Sequence, residues 1–252
     1  MLVAQVHIPI HIVRYHADVH LDEQNAEIEG TLSLWLRVAR DSLSTIEFSA
    51  LSNIEINAIR DNDEDRFSYR RTPSERNSYH YIISLPAVRR AGDSIFVNVA
   101  FSGTFDTSSF ASLFINPREF ILLHSSSISW LPYWGTDTAE RGSLYVTTSP
   151  RFRVVHGSPP DSTLLTEEQQ TWYYSHAGAV LLDEFFSFCG STTVTELVKR
   201  SADSTSTVKL VIDTTRFYLP FADSLLTYLV DAAEYFTKNT GLSPKLFTHT
   251  FA

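Results

Sequence analysis

Nine histidines are the residues of this chain most able to bind a metal or to move a proton near neutral pH. His7 and His11, and again His16 and His20, are separated by three residues. In an extended segment each pair falls on one side, but about 13 Å apart. Ligands of one zinc each lie about 2 Å from the metal, so neither pair can share an ion without a further cross-strand partner. Both pairs read as solvated histidines on a strand face. His124, His156, His176 and His249 stand alone, and the zinc-peptidase motif His-Glu-x-x-His is missing. No Gly-x-Ser-x-Gly elbow presents a nucleophile, and Ser125-Ser-Ser127 beside His124 reads as a polar loop. Gly157-Ser-Pro-Pro160 cannot cradle a phosphate, because proline removes the N–H donors that a cradle needs. Asp183 and Glu184 are adjacent and point to opposite faces of a strand. Glu167-Glu168 and the Asp61 to Asp65 cluster resemble solvated turns, the chemical alternative being a calcium loop. Cys189 is the only cysteine, which excludes an internal disulfide and a thiolate zinc cluster and suits a small buried hydrophobe.

Aromatic side chains are the remaining candidates for recognition. Trp130, Tyr133, Trp134 and Trp172, with Tyr173 and Tyr174 alongside, suit either a carbohydrate- or peptide-binding surface or packing between sheets. No other residue is assigned to binding, and none to catalysis or to a metal.

The elements that must position these residues are mostly strands. Tyr15, Ala17, Val19 and Leu21 alternate with Arg14, His16, Asp18 and His20, and Ile28 to Val38 repeats the alternation after the turn Asp22 to Ala26. A long antiparallel hairpin follows. Further strand-type runs are Thr45 to Phe48, Ile54 to Arg60, Tyr79 to Leu85, Ser94 to Phe101, Phe120 to Leu123, Ser143 to Thr148, Arg151 to Val155, Thr171 to Tyr174 and Val180 to Phe188. Many short strands between polar turns indicate a sandwich or barrel. Thr104 to Arg118 has neither structural period and reads as a loop, expected to be the least ordered internal segment. Thr193 to Arg200 and Thr207 to Asp213 predict one more hairpin. One long amphipathic helix then starts at Pro220, with Phe221, Leu225, Leu229, Ala232 or Ala233, and Phe236 along a stripe, and stops at Asn239, Gly241 and Pro244.

With 252 residues and 43% hydrophobic content, the chain is ample for one large or two smaller cores. The net charge of -9, with no dense Lys/Arg run, disfavours a nucleic-acid backbone or an anionic membrane as partner. No stretch approaches the roughly 20 apolar residues of a membrane span. The compartment is left open, cytoplasmic or extracytoplasmic after removal of an export signal.

Several segments resemble, in order, the amino-terminal half of zinc metallopeptidases of the aminopeptidase N type. Tyr15-His-Ala-Asp-Val-His-Leu-Asp22 with Ile28-Glu-Gly-Thr-Leu-Ser-Leu34 is similar to the opening hairpin of that family. Thr45-Ile-Glu-Phe48 resembles its third strand, and Phe101-Ser-Gly103 its apolar-x-Gly step. Trp130-Leu-Pro132 resembles its aromatic-x-Pro step, and Pro150-Arg-Phe-Arg-Val-Val-His-Gly157 the turn that follows. Tyr235-Phe-Thr-Lys-Asn-Thr-Gly-Leu-Ser-Pro244 is similar to the end of the first helix of the catalytic domain. Where many such relatives hold the substrate amine with an amide or acidic side chain, this chain has Phe120-Ile-Leu-Leu123, which departs from conventional aminopeptidase specificity.

The resemblance implies a mainly β fold, an antiparallel β-sandwich over 1–188 and, over 189–252, a hairpin and one long amphipathic helix that open a truncated catalytic-type domain. It implies a non-catalytic amino-terminal domain that shapes or covers a downstream peptidase-type site. It implies no cofactor here, zinc being bound only by a downstream domain of a parent that is then a zinc-dependent aminopeptidase. Partners are that domain, peptide, or a second copy through Phe221, Leu225, Leu229 and Phe236. The alternative is a free-standing β-sandwich module that binds carbohydrate or peptide.

Overall fold

The computed structural model describes residues 9–74, 77–104, 112–116, 120–123, 131–135, 138–156, 158–182, 188–191, 194–201, 207–213, 219–240 and 247–251. Its first two strands, β1 (Ile10–Asp22) and β2 (Glu27–Val38), form the predicted hairpin. Tyr15, Ala17, Val19 and Leu21 lie opposite Leu34, Leu32, Gly30 and Ile28, so the apolar set of each strand shares one buried face. The hairpin seeds a nine-stranded sheet, A. Outward from β2 come β7 (Ser94–Thr104) and β4 (Ile54–Arg60), both antiparallel to their neighbours. On the other side β1 pairs in parallel with β11 (Gly142–Thr148), which is followed by β14 (Gln170–His176) and the edge strand β13 (Ser162–Leu165). Short strands β10 (Thr138–Ala139) and β15 (Val180–Leu181) complete it beside the start of β1.

Sheet B contains β3 (Leu43–Leu51), β6 (Ser78–Arg89) and β5 (Ser68–Ser74). Sheet C contains β12 (Arg153–His156), β16 (Phe188–Ser191), β9 (Phe120–Leu123) and β8 (Ser112–Asn116). Ile46, Phe48, Tyr81 and Ile83 of sheet B and Val154 of sheet C enter the same core as the inner face of sheet A. This is a β-sandwich, and the chain is mainly β, with 63% strand and 12% helix.

Two of the apolar-x-Gly steps have a steric cause. A Cβ on Gly30 would stand 2.3 Å from the Asp18 carbonyl oxygen and 3.2 Å from the Phe101 ring, so only glycine lets β1, β2 and Phe101 meet. A Cβ on Gly103 would stand 2.5 Å from the Asn53 oxygen and 2.6 Å from Ile54 Cδ1. The turns are tied as well. Glu23, buried at the tip of the β1–β2 hairpin, accepts a hydrogen bond from the Ser149 hydroxyl, with Arg151 Nε at 3.9 Å. Thr148 Oγ1 donates to the Phe152 carbonyl at 3.0 Å, and the fully buried Phe152 anchors that turn.

A second core lies in the last part of the chain. Strands β17 (Val194–Arg200) and β18 (Thr207–Asp213) are antiparallel, and β19 (Phe247–Phe251) joins β18 in parallel. Helix α1 (Leu219–Thr240) packs on β17 and β18, with Lys199 Nζ donating to Thr227 Oγ1 at 2.7 Å. Its buried stripe is Ala222, Leu226, Val230 and Ala233, set against Val208, Leu210 and Ile212. The stripe expected from the sequence is therefore corrected by one residue. Leu225 and Leu229 are half-buried at its flank, Phe221 is exposed, and the Phe236 side chain lies outside the described set. The cause is that α1 is apolar over more than one stripe, so period alone does not choose the face.

Other corrections concern strands. Part of the expected loop Thr104 to Arg118 is strand β8, paired with β9; residues 105–111 and 117–118 lie outside the described residues. The expected strand Val180 to Phe188 is β15 at its start and β16 from its last residue, and 183–187 lie outside the described residues. Because β16 pairs with β9 and β12, sheet C runs on to Ser191.

Leu34→Ala, at a fully buried site, is expected to cost about 2–5 kcal/mol in urea unfolding; a change near zero would place Leu34 on the wrong face. Leu226→Ala is expected to destabilise the α1 unit, whereas Tyr235→Ala is expected to stay within about 0.5 kcal/mol. Equal effects in circular-dichroism melts would reverse the orientation of the helix.

Candidate functional site

Tyr133 and Trp134 lie beside the outer edge of β3. The Tyr133 N–H and C=O each bond Ser49 at 2.8 Å, one rung of antiparallel ladder. Trp134 is only 3% exposed and rests on Phe48 at 4.8 Å, which in turn stacks on Tyr81 at 4.7 Å with the rings 2° apart. The Tyr15 hydroxyl donates to the Pro132 carbonyl at 3.2 Å, and burial raises the pKa of that phenol. At Gly135, whose φ of 76° suits glycine, the segment turns away from β3 and leaves a hollow of about 510 Å³. Pro9, Ile10, Arg40, Glu47, Tyr133 and Trp134 are among its walls. Trp134 Nε1 is buried with no hydrogen-bond partner among the described residues, an orphan donor that calls for explanation.

Trp172 serves a different place. It is 5% exposed, lies opposite Val146 and Thr163, and lines a hollow of about 410 Å³ with His156, Ser158 and Tyr174. His156 Nδ1 accepts the Ser158 backbone N–H at 3.1 Å, and its ring lies 4.4 Å from that of Tyr174. Tyr133 and Trp134 thus share one hollow, Trp172 belongs to another, and Trp130 lies outside the described residues. The two tryptophans contribute buried area to the main core.

The open face of sheet A carries a third hollow of about 520 Å³, lined by His20, Asp22, Glu27, Glu29 and Glu55 among others. The Asp22 carboxyl is held below the usual carboxylate range, first by a hydrogen bond from the Asn25 side chain and then by the N–H groups of Asn25 and Gln24. Its oxygens are occupied locally. No three His, Cys, Asp or Glu side chains among the described residues are placed to hold a metal ion. The Asp61 to Asp65 turn is closed on itself, with Asp61 Oδ1 accepting the N–H of Asp63 at 2.9 Å and of Asp65 at 3.0 Å. His7 lies outside the described residues, and His11 and His20 are exposed on β1.

No family pattern matches the sequence, and no curated protein matches it. Solved structures do. The M1 zinc metallopeptidase of Deinococcus radiodurans superposes with a TM-score of 0.71 at 13% identity, covering 96% of this chain and 56% of that one. The fold resembles the amino-terminal part of an aminopeptidase N-type protein. A mutant of that metallopeptidase bound to a Tyr-Ser-Ala substrate superposes at 0.69, and a two-domain M1 zinc metallopeptidase mutant bound to L-arginine at 0.70, with the same identity and coverage. The chain spans just over half the length of the metallopeptidase structures it matches. The order of motifs read from the sequence therefore corresponds to a shared fold. Sequence reasoning missed the stretch of the β3 edge that no described residue pairs with beyond Ser49, because edge pairing is a tertiary fact.

His16 gives this sheet a pH signature. Its Nδ1 lies 2.8 Å from Ser143 Oγ, and its pKa is lowered, chiefly by burial, with Arg14 adding to the effect and Asp18 opposing it. A folded pKa below the unfolded one means that the unfolded chain binds the proton more tightly. Stability is expected to fall as pH drops below about 6.5 towards the folded value. His16→Gln should flatten that part of a stability-versus-pH curve; an unchanged slope would show that His16 is not the source.

Proposed function

We propose that this chain is the non-catalytic amino-terminal part of an M1 metallopeptidase-like protein, shaping or covering a peptidase-type site carried by a following domain. The observation that carries this reading is the superposition of 96% of the chain on 56% of M1 metallopeptidases at TM-scores near 0.7. The sequence lacks His-Glu-x-x-His, so zinc and hydrolysis belong to the following domain in this reading. That domain has a natural seat on the outer face of α1. Phe221, Tyr228 and Tyr235, spaced by seven, are 56%, 69% and 71% exposed, and half-buried Leu225 and Leu229 lie at the edge of the buried stripe. Such an apolar face suits burial against another body, the following domain first and a second copy of the chain otherwise. The second reading, a free-standing binding module, is favoured by the hollow beside β3.

The purified chain is expected to hydrolyse no aminoacyl substrate and to hold no stoichiometric zinc. Activity measured on aminoacyl fluorogenic substrates together with one zinc per chain by atomic absorption would overturn the proposal.

A further inference from the structure

The two edges of sheet B differ in a way that has a consequence. Strand β5 is exposed along its whole length and carries Arg70, Arg71 and Pro73. Charge and a missing N–H are means by which natural edges refuse another strand. Strand β3, from Leu43 to Leu51, has no Lys, Arg or Pro. Ser49 turns its N–H and C=O outward to Tyr133, and successive residues of a strand alternate sides, so those of Glu47 and Thr45 also point outward. Among the described residues nothing pairs with them on that side. The segment from Tyr133 to Gly135 takes one rung, and the hollow of about 510 Å³ opens in front of the two rungs that no described residue takes. One wall is Trp134, whose indole N–H is the orphan donor described above.

We propose that this edge is a docking site for an extended peptide, which adds to β3 as a further strand and lays alternate side chains into the hollow. A peptide backbone is the ligand whose groups match two successive outward rungs: its carbonyls accept from the N–H of Thr45 and Glu47, and its N–H groups donate to their carbonyls. Rungs about 7 Å apart call for a segment of four or five residues. The exposed Glu47 carboxylate, 3.1 Å from His80 Nε2, selects a Lys or Arg side chain opposite it. Arg40, another wall of the hollow, suits an acidic side chain or a terminal carboxylate. The apolar walls from Ile10 and Phe48 favour Val or Ile between the charged positions. This inference rests on sheet geometry and not on any peptidase chemistry, so it stands or falls independently of the function proposed above.

The test uses the whole chain and a fluorescent acetyl-Thr-Val-Lys-Val-Thr amide probe in anisotropy titrations. Saturable binding is expected. Of two versions N-methylated on alternate residues, one should bind at least tenfold more weakly and the other should retain binding, since only alternate N–H groups face β3. Glu47→Lys, an exposed change whose fold is checked by near-ultraviolet circular dichroism, should reverse the preference for this probe over its Glu-substituted form. Amide resonances of Thr45 and Glu47 should shift on titration. Absence of saturable binding, equal effects of the two N-methylated versions, or shifts that spare Thr45 and Glu47 and move α1 instead would each overturn the proposal.

Discussion

The β-sandwich depends on the pairing of β1 on both sides at once. It is antiparallel to β2 from Ile10 to Asp22 and parallel to β11 from Tyr15 to His20. A parallel neighbour cannot be reached by a tight turn, so the chain must cross over between β2 and β11, and sheets B and C are built partly from that crossover. The residues of β1 that face inward are nearly inaccessible to water, including Ala17 and Val19 at 0% exposure. A slip of one residue would turn that whole set to solvent, together with its partners on β2. Gly30 and Glu23 enforce the register sterically and by hydrogen bonding, one at the close approach to Asp18 and the other at the hairpin tip.

What could be read in the sequence follows from where burial leaves a period. The β1–β2 hairpin, β4 and the β17–β18 hairpin are half-buried, and their alternation marks them to within a residue, except that β1 starts earlier than its alternation shows, at Ile10. Strands β5 and β13 are wholly exposed and carry no such signal, although each pairs with the strand that directly follows it, β6 and β14. Strand β8 was hidden in the same way, by Ser- and Phe-rich chain with no alternation. Helix α1 was legible as a helix but not in its orientation, since Phe221, Leu225, Leu226, Leu229 and Val230 surround much of its circumference. For the aromatic candidates, type suggested recognition while position decided packing: Trp134 and Trp172 are buried, and only the rim of each hollow remains to touch a ligand.

On sheet A, Asp22 serves its own turn and His16 pairs across to Ser143 on the neighbouring strand β11. The features that look outward are an aromatic helix face, Phe221, Tyr228 and Tyr235, and a strand edge at Thr45 and Glu47. Both offer surface to another chain segment rather than reacting groups to a small molecule. The buried apolar side chains among the described residues fall into two clusters, one within the sandwich and one between α1 and β18.

We propose that the two clusters are separate folding units, and this is the account's central claim. Native-state amide exchange tests it most directly. Amides of Ala17, Val19, Leu32 and Leu34 are predicted to exchange only through opening of the sandwich, with one shared free energy and denaturant dependence. Those of Leu210, Leu226 and Val230 are predicted to exchange together through a separate opening of smaller denaturant dependence. A single opening, with the same free energy and slope for both sets, would contradict the account.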